Sequence, residues 1–163
     1  ADVALVTESR YEAASAAADD WYLGNILADD RLLAEALAAR GLSSVRVDWA
    51  RPGIDWGRFR AAVLRTTWDY FDRAADFARW IDATAGRTRL CNGAATVRWN
   101  MDKHYLADLA RQGIPVVPTR FIPRGAPVAL AGLLDETGWP RRWSSPASPA
   151  APGTPTEIGR AHV

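Results

Sequence analysis

Between residues 3 and 92, short strand-like runs alternate with helix-like stretches, and this alternation constrains the fold more than any other feature. Val3-Ala4-Leu5-Val6 is an unbroken apolar run of the kind that fills a strand buried on both faces. Asn25 to Arg40 predicts a helix, because Ile26, Leu27, Leu33 and Leu37 recur on one face and Gly41 supplies a stop. Val45-Arg46-Val47 predicts a second strand, Pro52-Gly53 a turn, and Ala61-Ala62-Val63-Leu64 a third strand. Tyr70 to Ala83 predicts a second helix with Phe71, Phe77, Trp80 and Ile81 facing inward. Thr88-Arg89-Leu90-Cys91 predicts a fourth strand, ended by Asn92-Gly93. Residues 8 to 22 read as a loop with room for one helical turn. An α/β domain with a mostly parallel sheet is expected over residues 1–92.

In such sheets, ligands bind beyond the carboxyl ends of the strands. Two segments occupy that edge: Thr7-Glu8-Ser9-Arg10-Tyr11 after the first strand, and Arg65 to Tyr70 after the third. Arg65, Thr66, Thr67, Trp68, Asp69 and Tyr70 are therefore candidate substrate-binding residues. A cluster of charges and hydroxyls can hold a carboxylate or an amine by charge-assisted hydrogen bonds. Asp69 is equally suited to capping the second helix, and for Trp68 packing in the core is the favoured expectation. No glycine-rich fingerprint follows the first strand, which argues against a nicotinamide cofactor. Asp19-Asp20 and Asp29-Asp30 are adjacent pairs; neighbouring helix positions point different ways, so a solvated face is expected for both.

The net charge of +1 gives no bulk attraction to nucleic acid or to an anionic membrane. No apolar run reaches the length of a membrane span, and no signal-peptide pattern is present. The single cysteine, Cys91, rules out an intramolecular disulfide and any cysteine-rich zinc site. A cytoplasmic protein is expected.

From Ala94 the chain changes character. A short helix leads to Met101–Gln112, where Met101, Tyr105, Leu106 and Leu109 recur at helical spacing and Asn100 or Asp102 could act as cap. Pro115 and Pro118 bracket an extended piece before Phe121-Ile122, and Val128 to Thr137 predicts a further helix closed by Gly138. Lys103 is the only lysine beside nineteen arginines. A lysine is a compact point charge that suits phosphate oxygens, whereas a guanidinium is a broad fork. A surface lysine at a helix start would look the same.

The block Asn100-Met101-Asp102-Lys103, a helix, Gly113-Ile114-Pro115-Val116-Val117-Pro118-Thr119 and the strand-forming Phe121-Ile122 resembles the entry into the ATP-grasp fold. Arg65-Thr66-Thr67-Trp68-Asp69-Tyr70 and Arg98-Trp99-Asn100-Met101-Asp102-Lys103 are similar to segments of RimK-like or glutathione-synthetase-like ligases. The likeness is to the branch that includes the cycloserine-forming ligase, and it runs from about residue 2 to about residue 140. It implies a Rossmann-like parallel-sheet pre-ATP-grasp domain at 1–92 and an incomplete ATP-grasp domain at 93–140. It implies ATP and Mg2+ as cofactors, with Lys103 on an ATP phosphate. It places the metal ligands beyond this chain and leaves the catalytic residues unassigned.

Residues 141–163 are expected to form a disordered tail. Arg141 to Thr156 is proline-rich and without periodicity. Back-translated with GC-rich codons and read two bases out of frame, Arg142 to Thr156 becomes Val-Val-Lys-Pro-Gly-Val-Ser-Gly-Gly-Ala-Arg-His-Thr-Tyr, which resembles the next ATP-grasp strand. Glu157 to Val163 resembles a translated sequencing adapter. The chain then reads as the N-terminal fragment of an ATP-dependent carboxylate–amine ligase working through an acyl phosphate, and as inactive alone. Its partners would be small-molecule carboxylate and amine-type substrates, with no nucleic acid and no membrane; a homo-oligomer is left open. The alternative is a non-catalytic α/β module that binds a small ligand or regulates.

Overall fold

A computed structural model describes residues 1–17, 19–122, 126–127, 129–138, 143–146 and 158–161. These form two compact units, one of residues 1–70 and 75–96, the other of residues 71–74 and 97–163. The first is built on a four-stranded sheet with β1 at Val3–Thr7, β2 at Ser44–Asp48, β3 at Ala61–Thr66 and β4 at Arg89–Cys91. The order is β2-β1-β3-β4 and every pairing is parallel, as the alternation predicts. All five residues of β1 are buried, because neighbours flank it on both sides.

Helix α1 is the single turn Ser9–Glu12. Helix α2 runs Trp21–Ala38, four residues earlier at its start than the apolar spacing suggests. Asp20 accounts for the difference: its carboxylate accepts from the Leu23 N–H at 2.9 Å and caps the first turn. At the far end Gly41 takes φ 74°, and the Leu42 N–H reaches back to the Leu37 carbonyl at 3.0 Å, closing the helix in the left-handed turn that glycine allows. Helix α3 runs Ala74–Ala85, and a separate 3-10 turn takes up Trp68–Phe71. The helix therefore starts at Ala74, later than the predicted Tyr70, because the turn before it is held by the edge contacts described below.

The core lies on the α3 side. Trp49 sits edge-on to Phe77 with centroids 5.1 Å apart, Phe77 stacks on Trp80 at 5.4 Å, and Trp56 meets Trp80 at 5.2 Å. Trp49, Trp56, Phe59, Phe77 and Ile81 are all buried. Aromatic residues bury much surface each and prefer these edge and offset arrangements.

Helix α4 is Ala94–Asn100, and the second unit takes in its residues from Val97 on; further along, α5 is Tyr105–Arg111 and α6 is Leu130–Thr137, closed by Gly138. Helix α5 is shorter than the predicted Met101–Gln112. Asp102 holds the entry by accepting the His104 N–H at 2.8 Å and meeting the His104 ring Nδ1 at 2.6 Å. Strand β5 is Phe121–Ile122. Within the stretch expected to be a disordered tail, two short strands occur, β6 at Trp143–Pro146 and β7 at Ile158–Ala161. They form an antiparallel sheet in the order β5-β7-β6. Pro146 ends an edge strand, the position where a missing N–H is tolerated. The rest of residues 141–163 lies outside the described residues.

Phe77→Ala should destabilise the first unit by about 3–5 kcal/mol, since it removes the ring that three other aromatics contact. Urea denaturation followed by tryptophan fluorescence measures this. A loss under about 1 kcal/mol would mean the cluster is not the core.

Candidate functional site

The connections out of the sheet define one crevice. The chain leaves β1 through α1 and α2 to β2 on one side, then returns across β1 to β3 on the other. The strand order therefore reverses at β1, and the segments that leave the carboxyl ends of β1 and β3 lie where open parallel sheets place their ligands. Glu8 follows β1 at this point and Thr67-Trp68-Asp69 follows β3.

Glu8 is buried, with a fractional exposure of 4%. A carboxylate so placed needs partners. One oxygen accepts from Arg10 Nε at 2.6 Å, and the other accepts the Asp69 backbone N–H at 2.7 Å. The Glu8 N–H in turn donates to the Thr66 carbonyl at 2.9 Å. Asp69 accepts from Trp49 Nε1 at 2.7 Å. The loops after β1, β2 and β3 are thus joined through Glu8, Trp49 and Asp69. Glu8 holds the Arg10 guanidinium above its ordinary pKa range through this hydrogen bond, and Arg10 also lies 4.7 Å over the Tyr11 ring.

The pairing of β1 with β3 shifts at its end. Val6 faces Leu64, but Thr7 faces Thr66, so Arg65 is an extra residue. Thr7 Oγ1 and Thr66 Oγ1 lie 2.5 Å apart beyond this bulge.

The structure places the side chains of the six residues singled out after β3 in different surroundings. Arg65 turns to α2, where its Nε donates to Asp30 at 2.7 Å and a second nitrogen lies 3.4 Å from Asp29. The Asp30 hydrogen bond raises the Arg65 pKa, outweighing the opposing effect of burial. The expectation of a solvated face for Asp29-Asp30 thus fails for Asp30, which is buried; a bulged arginine reaches it from the sheet. Thr66 and Thr67 are buried in the strand end. Tyr70 packs on Phe77 at 5.3 Å. Trp68 is exposed and meets Tyr11 edge-on at 5.6 Å, so it does not fill the core. Asp69 lies inside the 3-10 turn and bonds Trp49 instead of capping α3. Glu8 lies in the Thr7-to-Tyr11 segment that the sequence places at this edge, without being distinguished from its neighbours, and Trp49 is not among the candidates. An acid directly after a fully apolar strand, and a tryptophan directly after Asp48, are the signals that mark them.

The second unit carries Lys103, which is partly buried; desolvation pushes its pKa down. Nearby, Trp99 Nε1 donates to Asp108 at 2.6 Å, and the His104 ring stacks on Phe121 with centroids 4.2 Å apart. Among the described residues, no group of three His, Cys, Asp or Glu is placed to hold a metal ion. No helix among them is long and apolar enough to cross a membrane.

Residues 3–92 match the family model described as "D-cycloserine synthetase DcsG, N-terminal domain". A curated relative, the cycloserine biosynthesis protein DcsG of Streptomyces lavendulae, is 40% identical over 103 residues, covering 63% of this chain and 34% of that protein. The crystal structure of D-cycloserine synthetase DcsG superposes with a TM-score of 0.74 at 26% identity, over 98% of this chain and 58% of that one. A structure of the ATP-grasp ligase PsnB with a minimal precursor matches at a TM-score of 0.48 and 15% identity, over 98% of this chain and 62% of that one. The chain thus spans about a third of the curated relative's length.

Glu8→Ala should free the Asp69 amide and speed its hydrogen exchange by about tenfold or more, because that N–H loses its buried acceptor. Exchange measured by NMR at unchanged rate would show that Glu8 does not hold the loop. Asp30→Ala should cost about 1–2 kcal/mol in urea denaturation. The figure is reduced from that of a fully buried pair because the Arg65 side chain is 27% exposed. No loss would mean the pair does not hold α2.

Proposed function

We propose, because the chain belongs to the D-cycloserine synthetase DcsG N-terminal domain family, that it is the N-terminal part of an ATP-grasp ligase. In this reading the full-length protein joins a carboxylate to an amine or related nucleophile through an acyl phosphate. A carboxylate oxygen attacks the γ-phosphorus of ATP and ADP leaves. The nucleophile then attacks the acyl carbon, phosphate departs with that oxygen, and the nucleophile's proton passes to solvent. The observation that carries the reading is the family match over residues 3–92, which contains the crevice where the strand order reverses.

Residues 1–92 act as the pre-ATP-grasp domain and residues 93–140 as the start of the ATP-grasp domain. The loops after β1 and β3 hold a small-molecule substrate. Glu8 fixes the backbone at Asp69, and exposed Trp68 with Tyr11 offers an apolar wall. Arg65 is a structural tie rather than a substrate contact, because both aspartates of α2 engage it.

ATP supplies the phosphoryl group when bound. Lys103 suits one of its phosphates: desolvation disfavours the charged ammonium, and an anionic phosphate offsets that cost. No described residues suit a magnesium ion, and no role for it is assigned to this chain. On this reading the chain by itself does not turn over substrate, and a cytoplasmic biosynthetic setting goes with it.

In the full-length protein, Lys103→Ala should weaken Mg·ATP binding by on the order of 1.5–3 kcal/mol with the fold intact, and Lys103→Arg should restore it only in part. Calorimetric titration of the wild type and both variants tests this. Unchanged affinity in Lys103→Ala would remove the phosphate role.

A further inference from the structure

We propose that His104 is a positioning residue for Lys103: its ring clamps the turn that carries the lysine between Asp102 and Phe121. The proposal rests on the phosphate role of Lys103 and adds how that side chain is placed.

Lys103 is the middle residue of an Asx turn. The Asp102 carboxylate accepts the His104 backbone N–H at 2.8 Å and so closes a ring over Lys103. The same oxygen meets the His104 ring Nδ1 at 2.6 Å. A carboxylate only accepts, so Nδ1 carries the proton of this bond. The ring then stacks on Phe121, the first residue of β5, with centroids 4.2 Å and planes 17° apart. One side chain thus holds the turn closed and ties it to β5.

Helix α5 needs neither contact. Backbone carbonyls take the amides of its first turn: Tyr105 donates to Asp102 at 3.2 Å, Leu106 to Lys103 at 3.0 Å and Ala107 to His104 at 2.9 Å. His104 stands at the cap position, yet its side chain bonds none of those amides. Desolvation does not force a partner on the ring either, since the His104 side chain is half-exposed and water could serve it. What the two contacts fix is the backbone at Lys103. A lysine ammonium rides on a flexible four-carbon stem, and ordering that stem on an anion costs affinity. Lys103 is half-buried, and a fixed turn beneath it removes part of the ordering cost before the phosphate arrives. His104 acts only through Lys103, so its effect must vanish when the lysine is gone.

The test is a double-mutant cycle in the full-length protein, read as Mg·ATP affinity by calorimetric titration, with far-UV circular dichroism to check the fold. His104→Ala should weaken binding about fivefold. In a Lys103→Ala background the same change should weaken it by less than about twofold. His104→Asn keeps a side-chain N–H for Asp102 and should recover part of the loss. Phe121→Leu removes the ring face and should weaken binding about twofold or more. If His104→Ala does not fold, Phe121→Leu and Lys103→Ala complete the same cycle. A loss under about twofold from His104→Ala, beside a clear loss from Lys103→Ala, overturns the positioning role and leaves the phosphate role standing. An equal loss with and without Lys103 also overturns it and makes His104 a separate contact. Unchanged affinity in Lys103→Ala removes the phosphate role and the positioning role with it.

Discussion

The carboxylate of Glu8 is the interaction on which the working edge of the first unit depends. It is buried at the end of the central strand, and a charge there persists only if its partners are fixed. Arg10 supplies one partner and the Asp69 amide the other. Asp69 then receives Trp49, and the Trp49 ring enters the aromatic cluster with Phe77 and Trp80. Three loops from three strands are therefore coupled to one another and to the core. At the point where the strand order reverses, these hydrogen bonds tie the loops together, while Trp68 stays exposed.

The bulge at Arg65 governs the other side of the sheet. The extra residue lets Thr7 and Thr66 pair beyond it and leaves Arg65 to the helix layer. There it meets Asp29 and Asp30 and ties α2 to the sheet. The pair is one tie between α2 and the sheet, beside the half-buried apolar side chains of the helix.

The parallel sheet was legible in the sequence because its strands are short apolar runs separated by helical spacing, and those two periods rarely coincide by chance. Residue roles at the edge were less legible. Arg65 and Asp30 are thirty-five positions apart, and local spacing carries no sign that a bulge brings them to 2.7 Å. Trp68 and Trp49 are both tryptophans beside an aspartate in sequence. Only the tertiary arrangement decides that Trp49 is buried and Trp68 is exposed. The starts of α2 and α3 were misplaced for a similar reason, since Asp20 capping and the Asp69 contacts override apolar spacing.

The central claim joins this edge to ATP-driven carboxylate activation in the full-length protein. It is tested most directly by the fate of a carboxylate oxygen. The protein is supplied with Mg·ATP, amino acids labelled with 18O in their carboxylates and an amine donor, and the products are read by mass spectrometry. Activation through an acyl phosphate predicts ADP together with inorganic phosphate that carries one labelled oxygen. Label recovered in AMP, with pyrophosphate released, would contradict the account.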